Sequence, residues 1–180
     1  MDTDIDYNDS YMQIALDSAM KGLALGELPV GASLSIDGKL VGSAWNKNRS
    51  SEDFNHHAEK TLVDSFSREL FLALREGKQT AIYTTWEPCL MCLGSSALNR
   101  VNKIFYACPD PRGGTAHLNP ELIGPGYLKM WPKIIPVQGE YAEKSCDLLI
   151  SYMESSDGWK TLLDELKKLK LSFDNAPTRN

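Results

Sequence analysis

The sequence predicts an α/β protein, a three-layer α/β/α sandwich around a mixed five-stranded sheet. Two segments flanking Asp37-Gly38 carry strong strand and turn signals, so the sheet opens with an antiparallel hairpin. Helix-period and strand-period segments then alternate to about residue 154, the pattern that puts helices on both faces of a sheet. The length of 180 residues suits one core buried without disulfide staples.

The elements follow in order. Tyr11, Ile14, Ala15, Ser18, Ala19, Gly22 and Leu23 share one helical face, which predicts a helix over 9–25 capped by Asp9 or Ser10 and ended by Gly26. Val30 to Ile36 and Lys39 to Trp45 form the hairpin, and polar residues from Asn46 to Asn55 form a loop. Ala58, Leu62, Phe66 and Leu70 continue one helical stripe to about Arg75, with Glu76-Gly77 as the stop and His57 and Glu59 in the first turn. Thr80 to Thr85 favours β structure, Cys89 to Asn99 has helical composition behind Pro88, and Lys103 to Cys108 is a further strand.

Pro, Gly and Asn dominate 109–126, which predicts a long functional loop. Ile134 to Val137 is the fifth strand, followed by a helix over about 140–154 and a last helix from Trp159 to Leu171. The expected organisation is one domain over 1–171, with a helical extension from about 159 and a mobile polar tail over 172–180. No internal repeat or low-complexity segment is present.

Composition narrows the function. No run approaches the roughly twenty apolar residues of a membrane span, and the acidic start lacks a signal region, so a cytoplasmic protein without membrane partners is expected. The net charge of -5 argues against a broad cationic surface for nucleic acid. The basic run Lys167-Lys168-Leu169-Lys170 reads as a solvated helix face. Of the four cysteines, Cys89 and Cys92 form a metal-type pair, while Cys108 and Cys146 are expected as buried free thiols in a reducing compartment. A regulatory disulfide between those two is the weaker alternative.

The chemistry is concentrated in His57-Ala58-Glu59 and Pro88-Cys89-Leu90-Met91-Cys92. One imidazole and two thiolates supply three zinc ligands and leave a fourth position for water, the mark of a catalytic rather than a closed structural site. Zinc lowers the pKa of water from about 15.7 to about 7, and Glu59 is then the proton carrier, from water to a ring nitrogen and on to departing ammonia. Both cysteines lie at a helix N-terminus, whose positive end favours thiolates. The rival reading of Cys89-x-x-Cys92 is a thioredoxin-type redox pair, for which Trp86-Glu87-Pro88-Cys89 is a superficial fit; it leaves His57 and Glu59 without a task. His56 and His117 read as a surface or pocket-wall residue and an exposed loop residue.

The H-x-E and P-C-x-x-C pair is similar to the signature of zinc nucleobase deaminases. Beyond it, residues 10–155 resemble the tRNA adenosine deaminase branch of the cytidine deaminase-like superfamily, which also contains guanine and fungal-type cytosine deaminases. Leu28-Pro29-Val30-Gly31-Ala32, Ala44-Trp45-Asn46, Glu87 to Cys92 and Asp110-Pro111-Arg112-Gly113-Gly114 carry the resemblance. It implies a cytidine deaminase-like fold, one Zn2+ per subunit on His57, Cys89 and Cys92, and a homodimer. It also implies that Asn46 hydrogen-bonds the substrate base, while backbone near Ala32 and Glu87 lines the pocket; the plain alternatives are a turn role for Asn46 and a core role for Trp45.

The chain departs from that branch in the acidic loop Ser50 to Asn55, in Thr115 to Pro120, in Lys129-Met130-Trp131-Pro132 and in the helix after Trp159. Three readings follow: deamination of a nucleobase with the tRNA wobble adenosine first, deamination of free guanine, cytosine, adenine or a nucleoside, and a non-catalytic zinc domain, which leaves Glu59 unexplained. Tyr127, Trp131 and the tail from Phe173 are the candidate lids.

Overall fold

The computed structural model describes residues 6–174. Helix α1 (Asp9–Ala24) starts where expected, but its cap is Asn8 and not Asp9 or Ser10, because the Asn8 side chain accepts the Ser10 N–H at 2.9 Å. Strands β1 (Gly31–Ile36) and β2 (Lys39–Trp45) form the expected hairpin. Asp37 and Gly38 both take positive φ, 53° and 70°, as the tight turn between twisted strands requires.

The segment between β2 and the His-Ala-Glu triplet contains a short helix, α2 (Asn48–Ser51), where only a loop was expected. Glu27 explains it. Its buried carboxylate accepts the backbone N–H groups of Arg49 at 3.0 Å and Ser50 at 2.7 Å, satisfying two donors at the helix start from 22 residues away.

The single helix expected to Arg75 is two, α3 (Ala58–Ser65) and α4 (Ser67–Arg75), joined at Phe66. The Phe66 ring lies on β2 where Gly42 has no side chain; a Cβ there would stand 2.5 Å from Cζ. Packing of that ring takes precedence over helix continuity.

Strand β3 (Thr80–Trp86), helix α5 (Leu90–Leu98) and strand β4 (Lys103–Cys108) succeed one another, then a 3-10 turn (Pro120–Leu122), α6 (Pro125–Leu128), β5 (Lys133–Pro136), α7 (Glu140–Glu154) and α8 (Lys160–Asp174). The loop expected over 109–126 therefore carries two short helical turns, and α8 passes the expected stop at Leu171. The remainder of the expected tail, 175–180, lies outside the described residues.

The sheet order is β2-β1-β3-β4-β5, antiparallel through β1/β2 and β1/β3 and parallel through β3/β4 and β4/β5. Alternation decides which side chains meet which layer. Tyr83 and Phe105 stack on the α1 side, 5.0 Å between centroids, with Met12 and Ala15 against them. Ala32, Leu34, Ile82 and Ile104 point the other way into a core shared with Leu62, Val63 and Leu93 of α3 and α5. Helices α1 and α7 adjoin one another, and α8 packs on α7.

Cys108 and Cys146 are bonded to each other, which corrects the expectation of two free thiols. The end of β4 meets α7 with the two Cα atoms 5.3 Å apart, a proximity that 38 residues of intervening sequence do not reveal. No helix among the described residues is long and apolar enough to cross a membrane.

Candidate active site

Two helix starts meet at the ends of strands. His57 is the N-cap of α3 and Cys89 the N-cap of α5, both in extended backbone, so each side chain projects from the turn that precedes its helix. Cys92 follows in the first turn of α5 and is buried, as is Glu59 in the first turn of α3. Contacts between α3 and α5 bring the two motifs together.

His57 Nδ1 stands 3.5 Å from Cys89 Sγ and 3.5 Å from Cys92 Sγ. A tetrahedral zinc ion with Zn–N near 2.05 Å and Zn–S near 2.3 Å requires N···S separations of about 3.6 Å. The three donors fit that ion, and His57, Cys89 and Cys92 form the metal-competent cluster among the described residues. Cys89 and Cys92 are both free thiols while the disulfide lies elsewhere, so their geometry favours a metal over the redox pair.

The local electrostatics suit ligand thiolates. Hydrogen bonding from Cys92 and His57 pulls the Cys89 thiol down to about 4, against its burial. The bond to Cys89, helped by the charge of Glu59, raises the His57 imidazole above its usual range. Cys92 is pushed up by its bond to Cys89 and by burial, so in the metal-free protein one thiolate is shared by the pair.

Glu59 is 3 % exposed, and burial raises its carboxyl above the usual range. Thr84 on β3 donates its hydroxyl to Glu59 Oε1 at 3.2 Å, and Cys92 Sγ lies 3.5 Å from Oε2. A carboxyl with raised affinity for protons, held by one hydroxyl beside a metal cluster, has the properties of a proton carrier.

His57, Glu59 and Cys89 line a cavity of about 260 Å3. Asn46 lies on its wall; its backbone N–H bonds Val30 O at 2.8 Å, which fixes the residue while leaving the side-chain amide without a partner among the described residues. Leu28, Val30 and Trp86 give apolar walls, and Asn48, Asp110 and Trp159 complete the rim. Ala32 is fully buried in β1 opposite Ala44 and Thr84, and Val30, two residues before it, lines the cavity. Trp45 lies outside the cavity, packed against Gly22 and beneath the ammonium groups of Lys21 and Lys47. His56 and His117 are exposed.

Glu87 lines the cavity, but its side chain is the larger surprise. Its Oε2 accepts the Asp110 N–H at 3.0 Å and its Oε1 the Ala116 N–H at 2.8 Å, so one carboxylate pins both ends of the 110–116 loop. Thr115 Oγ1 adds a bond to Pro88 O at 2.7 Å. The sequence offered no sign of this anchor, nor of Trp159, which reaches the cavity from the start of α8. Tyr127 and Trp131 pack on each other away from the cavity, and Phe173 packs on the core.

Comparisons with known proteins agree with this geometry. The family model for the cytidine and deoxycytidylate deaminase zinc-binding region matches residues 6–108, which contain all three ligands and Glu59. A tRNA-specific adenosine deaminase of Bacillus subtilis (strain 168) is 36% identical over 104 residues, covering 58% of this chain and 63% of the relative. That of Aquifex aeolicus (strain VF5) is 31% identical over 104 residues, covering 58% of this chain and 68% of its own length. The chain thus spans somewhat under two thirds of the Bacillus relative. Among solved structures, a tRNA:A34 deaminase superposes with a TM-score of 0.60 at 24% identity over 79% of this chain and 100% of that one. A guanine deaminase from Nitrosomonas europaea gives 0.60 at 19% over 82% of this chain and 85% of that one. Both share the fold. By motif, ligand geometry and family match together, this chain belongs to the cytidine and deoxycytidylate deaminase zinc-binding family.

Proposed function

We propose that the chain is a zinc-dependent hydrolase that removes the exocyclic amine of a nucleobase, with adenosine to inosine in tRNA as its first reaction. The observation that carries the chemistry is the buried carboxyl of Glu59, which lies beside the His57, Cys89 and Cys92 cluster without being one of its three ligands, a group that a purely structural zinc site does not need. The named activity of the Bacillus and Aquifex relatives supports the tRNA substrate.

His57, Cys89 and Cys92 would hold the zinc ion, which when bound would supply the Lewis acidity that makes water nucleophilic near neutral pH. Glu59 takes a proton from the attacking water and delivers it to a ring nitrogen. Glu59 then takes the second proton of that water from the hydroxyl now on the ring carbon and passes it to the amine, so that as the C–N bond breaks ammonia leaves and the oxygen stays on the ring as a carbonyl. Thr84 holds Glu59 in place. Asn46 offers both a donor and an acceptor to the base edge, which orients the amine-bearing carbon toward the cluster. Leu28, Val30 and Trp86 shield the reacting base from bulk water.

The acidic balance, net -5 with pI near 5.2, favours a second substrate reading, a free base or nucleoside. The two are separated by measuring ammonia release from guanine, cytosine, adenine, their nucleosides and a tRNA anticodon stem-loop. In the same assay Glu59→Gln is expected to keep one zinc per chain and lose turnover by about 10²–10⁴-fold. Retained turnover, or a purified protein that takes up no zinc, rejects the proposal. A homodimer is supported by the exposed Leu90 and Leu98 on α5, whose neighbours Leu93 and Ala97 are core. A tRNA substrate is consistent with the expected cytoplasmic location, and residues 6–174 serve as one catalytic unit with α8 as its extension.

A further inference from the structure

We infer that Trp159 is a specificity-determining wall of the catalytic cavity: a flat indole face, delivered by the C-terminal helix, against which the substrate's base stacks. The inference rests on the reading of the site as a nucleobase deaminase and extends it to a residue outside the matched family segment, which ends at residue 108.

The placement is specific. After α7 the chain turns through Gly158 at φ +93° and presents Trp159 immediately before α8, where its carbonyl accepts the Leu163 N–H at 2.8 Å and anchors the helix start. One edge of the indole meets Tyr152 of α7, with centroids 6.5 Å apart and planes at 66°, so the ring's tilt is set by a neighbour that is not in the cavity. The indole also lines the cavity together with Asn46, Glu59 and Cys89.

Helix α8 is held down along its length. Arg112 Nε donates to Glu165 Oε2 at 3.0 Å, which ties the helix to the same 110–116 loop that Glu87 anchors. Lys167 pairs with Glu154 at 2.5 Å, and Lys170 pairs with Asp147. Leu162 and Leu166 are buried beneath it. A helix so fastened delivers Trp159 as a fixed surface rather than a mobile tail. At about 260 Å3 the cavity lies just under the range of about 300–1,000 Å3 usual for drug-sized ligands, so it admits one heteroaromatic ring. Such a ring finds hydrogen-bonding amide from Asn46 at its edge and an aromatic plane from Trp159 on its face, the combination by which proteins read an unstacked base.

The test compares Trp159→Ala, Trp159→Leu and Trp159→Phe in the zinc-loaded full chain. Stacking on an aromatic residue predicts a KM for the turned-over substrate raised about tenfold or more in Ala and Leu, with kcat changed less, and restored toward wild type by Phe. Leu preserves apolar volume under α8 and stands in if Ala does not fold. A second readout needs no turnover: binding of the products inosine, hypoxanthine, xanthine and uracil is followed by tryptophan fluorescence, and the quenching amplitude is expected to fall in Trp159→Phe. Ammonia release by the wild type judges the deaminase reading on its own. The wall is overturned if KM and product affinity stay within twofold in Leu, if Phe fails to restore them, or if every loss follows a loss of zinc.

Discussion

The loop anchor at Glu87 gives the sharpest quantitative expectation. Its carboxylate accepts two backbone N–H groups, Asp110 at 3.0 Å and Ala116 at 2.8 Å. Hydrogen bonds to charged groups contribute about 1.5–3 kcal/mol each, so deleting both costs about 3–6 kcal/mol. Ala116 is exposed and Asp110 partly so, which lets water replace some of the loss and places Glu87→Ala near the lower end, about 3 kcal/mol. Gly114 provides an independent handle, because a Cβ there would stand 2.5 Å from Glu87 Oε1. Gly114→Ala must therefore displace the same carboxylate and cost about 2–3 kcal/mol through the same bonds. The two losses cannot be counted twice. The double variant is expected to cost little more than Glu87→Ala alone, a coupling energy of about 2 kcal/mol in the cycle. Urea unfolding of the zinc-loaded protein measures each corner, and amide exchange at residues 110 and 116 reports whether the loop has been released. A cost below about 1 kcal/mol for Glu87→Ala, or additive losses, refutes the anchor.

Other outcomes follow from the same structure. The Cys108–Cys146 bond closes 38 residues, for which chain entropy gives about 4 kcal/mol; reductant or Cys146→Ser should lower unfolding stability by about 2–4 kcal/mol without releasing zinc, and thiol titration of the denatured, unreduced apoprotein should find Cys89 and Cys92 alone. Four titratable thiols in that protein contradict the bond. Burial pushes the Glu27 carboxyl up, but the bonds from Ser50 and Arg49 outweigh it and hold it below its usual range. The native state therefore favours the ionised form, and its contribution is present above the unfolded pKa of about 4.3 and lost as pH falls through the lower native value. Thermal melts should show Glu27→Gln less stable than wild type at pH 7, with the gap closing below about pH 4; a gap that widens in acid reverses the assignment.

Much of the fold was legible because its signals are local. The Asp37-Gly38 turn, the helical stripe of α1 and the alternation of β3, α5 and β4 each depend on backbone preference and side-chain period within a few residues. Two boundaries depend on distant contacts, α2 through Glu27 and the break at Phe66 through Gly42, while the cap at Asn8 is a local choice among three adjacent polar residues, Asn8, Asp9 and Ser10. The ligand motifs were readable for the same reason that helix starts are. Cys89 and Cys92 are three apart at a helix start, so spacing puts both on one side of it; His57 and Glu59 are only two apart, with His57 in the extended cap and Glu59 in the first turn, and both line the cavity.

The sequence by itself determined the chemical types in play: an imidazole, two thiols, an acid and an amide at spacings that a metal site requires. Tertiary structure decided what those groups meet. It set the 3.5 Å separations across two helices, placed Val30 at the cavity wall, gave the Glu87 side chain a loop to anchor, joined Cys108 to Cys146, and brought Trp159 to the rim. The physical reason is one of range. Hydrogen-bonding turns and side-chain periodicity act over a few residues, while packing between β4, α7 and α8 joins residues tens of positions apart, whose proximity no local pattern encodes.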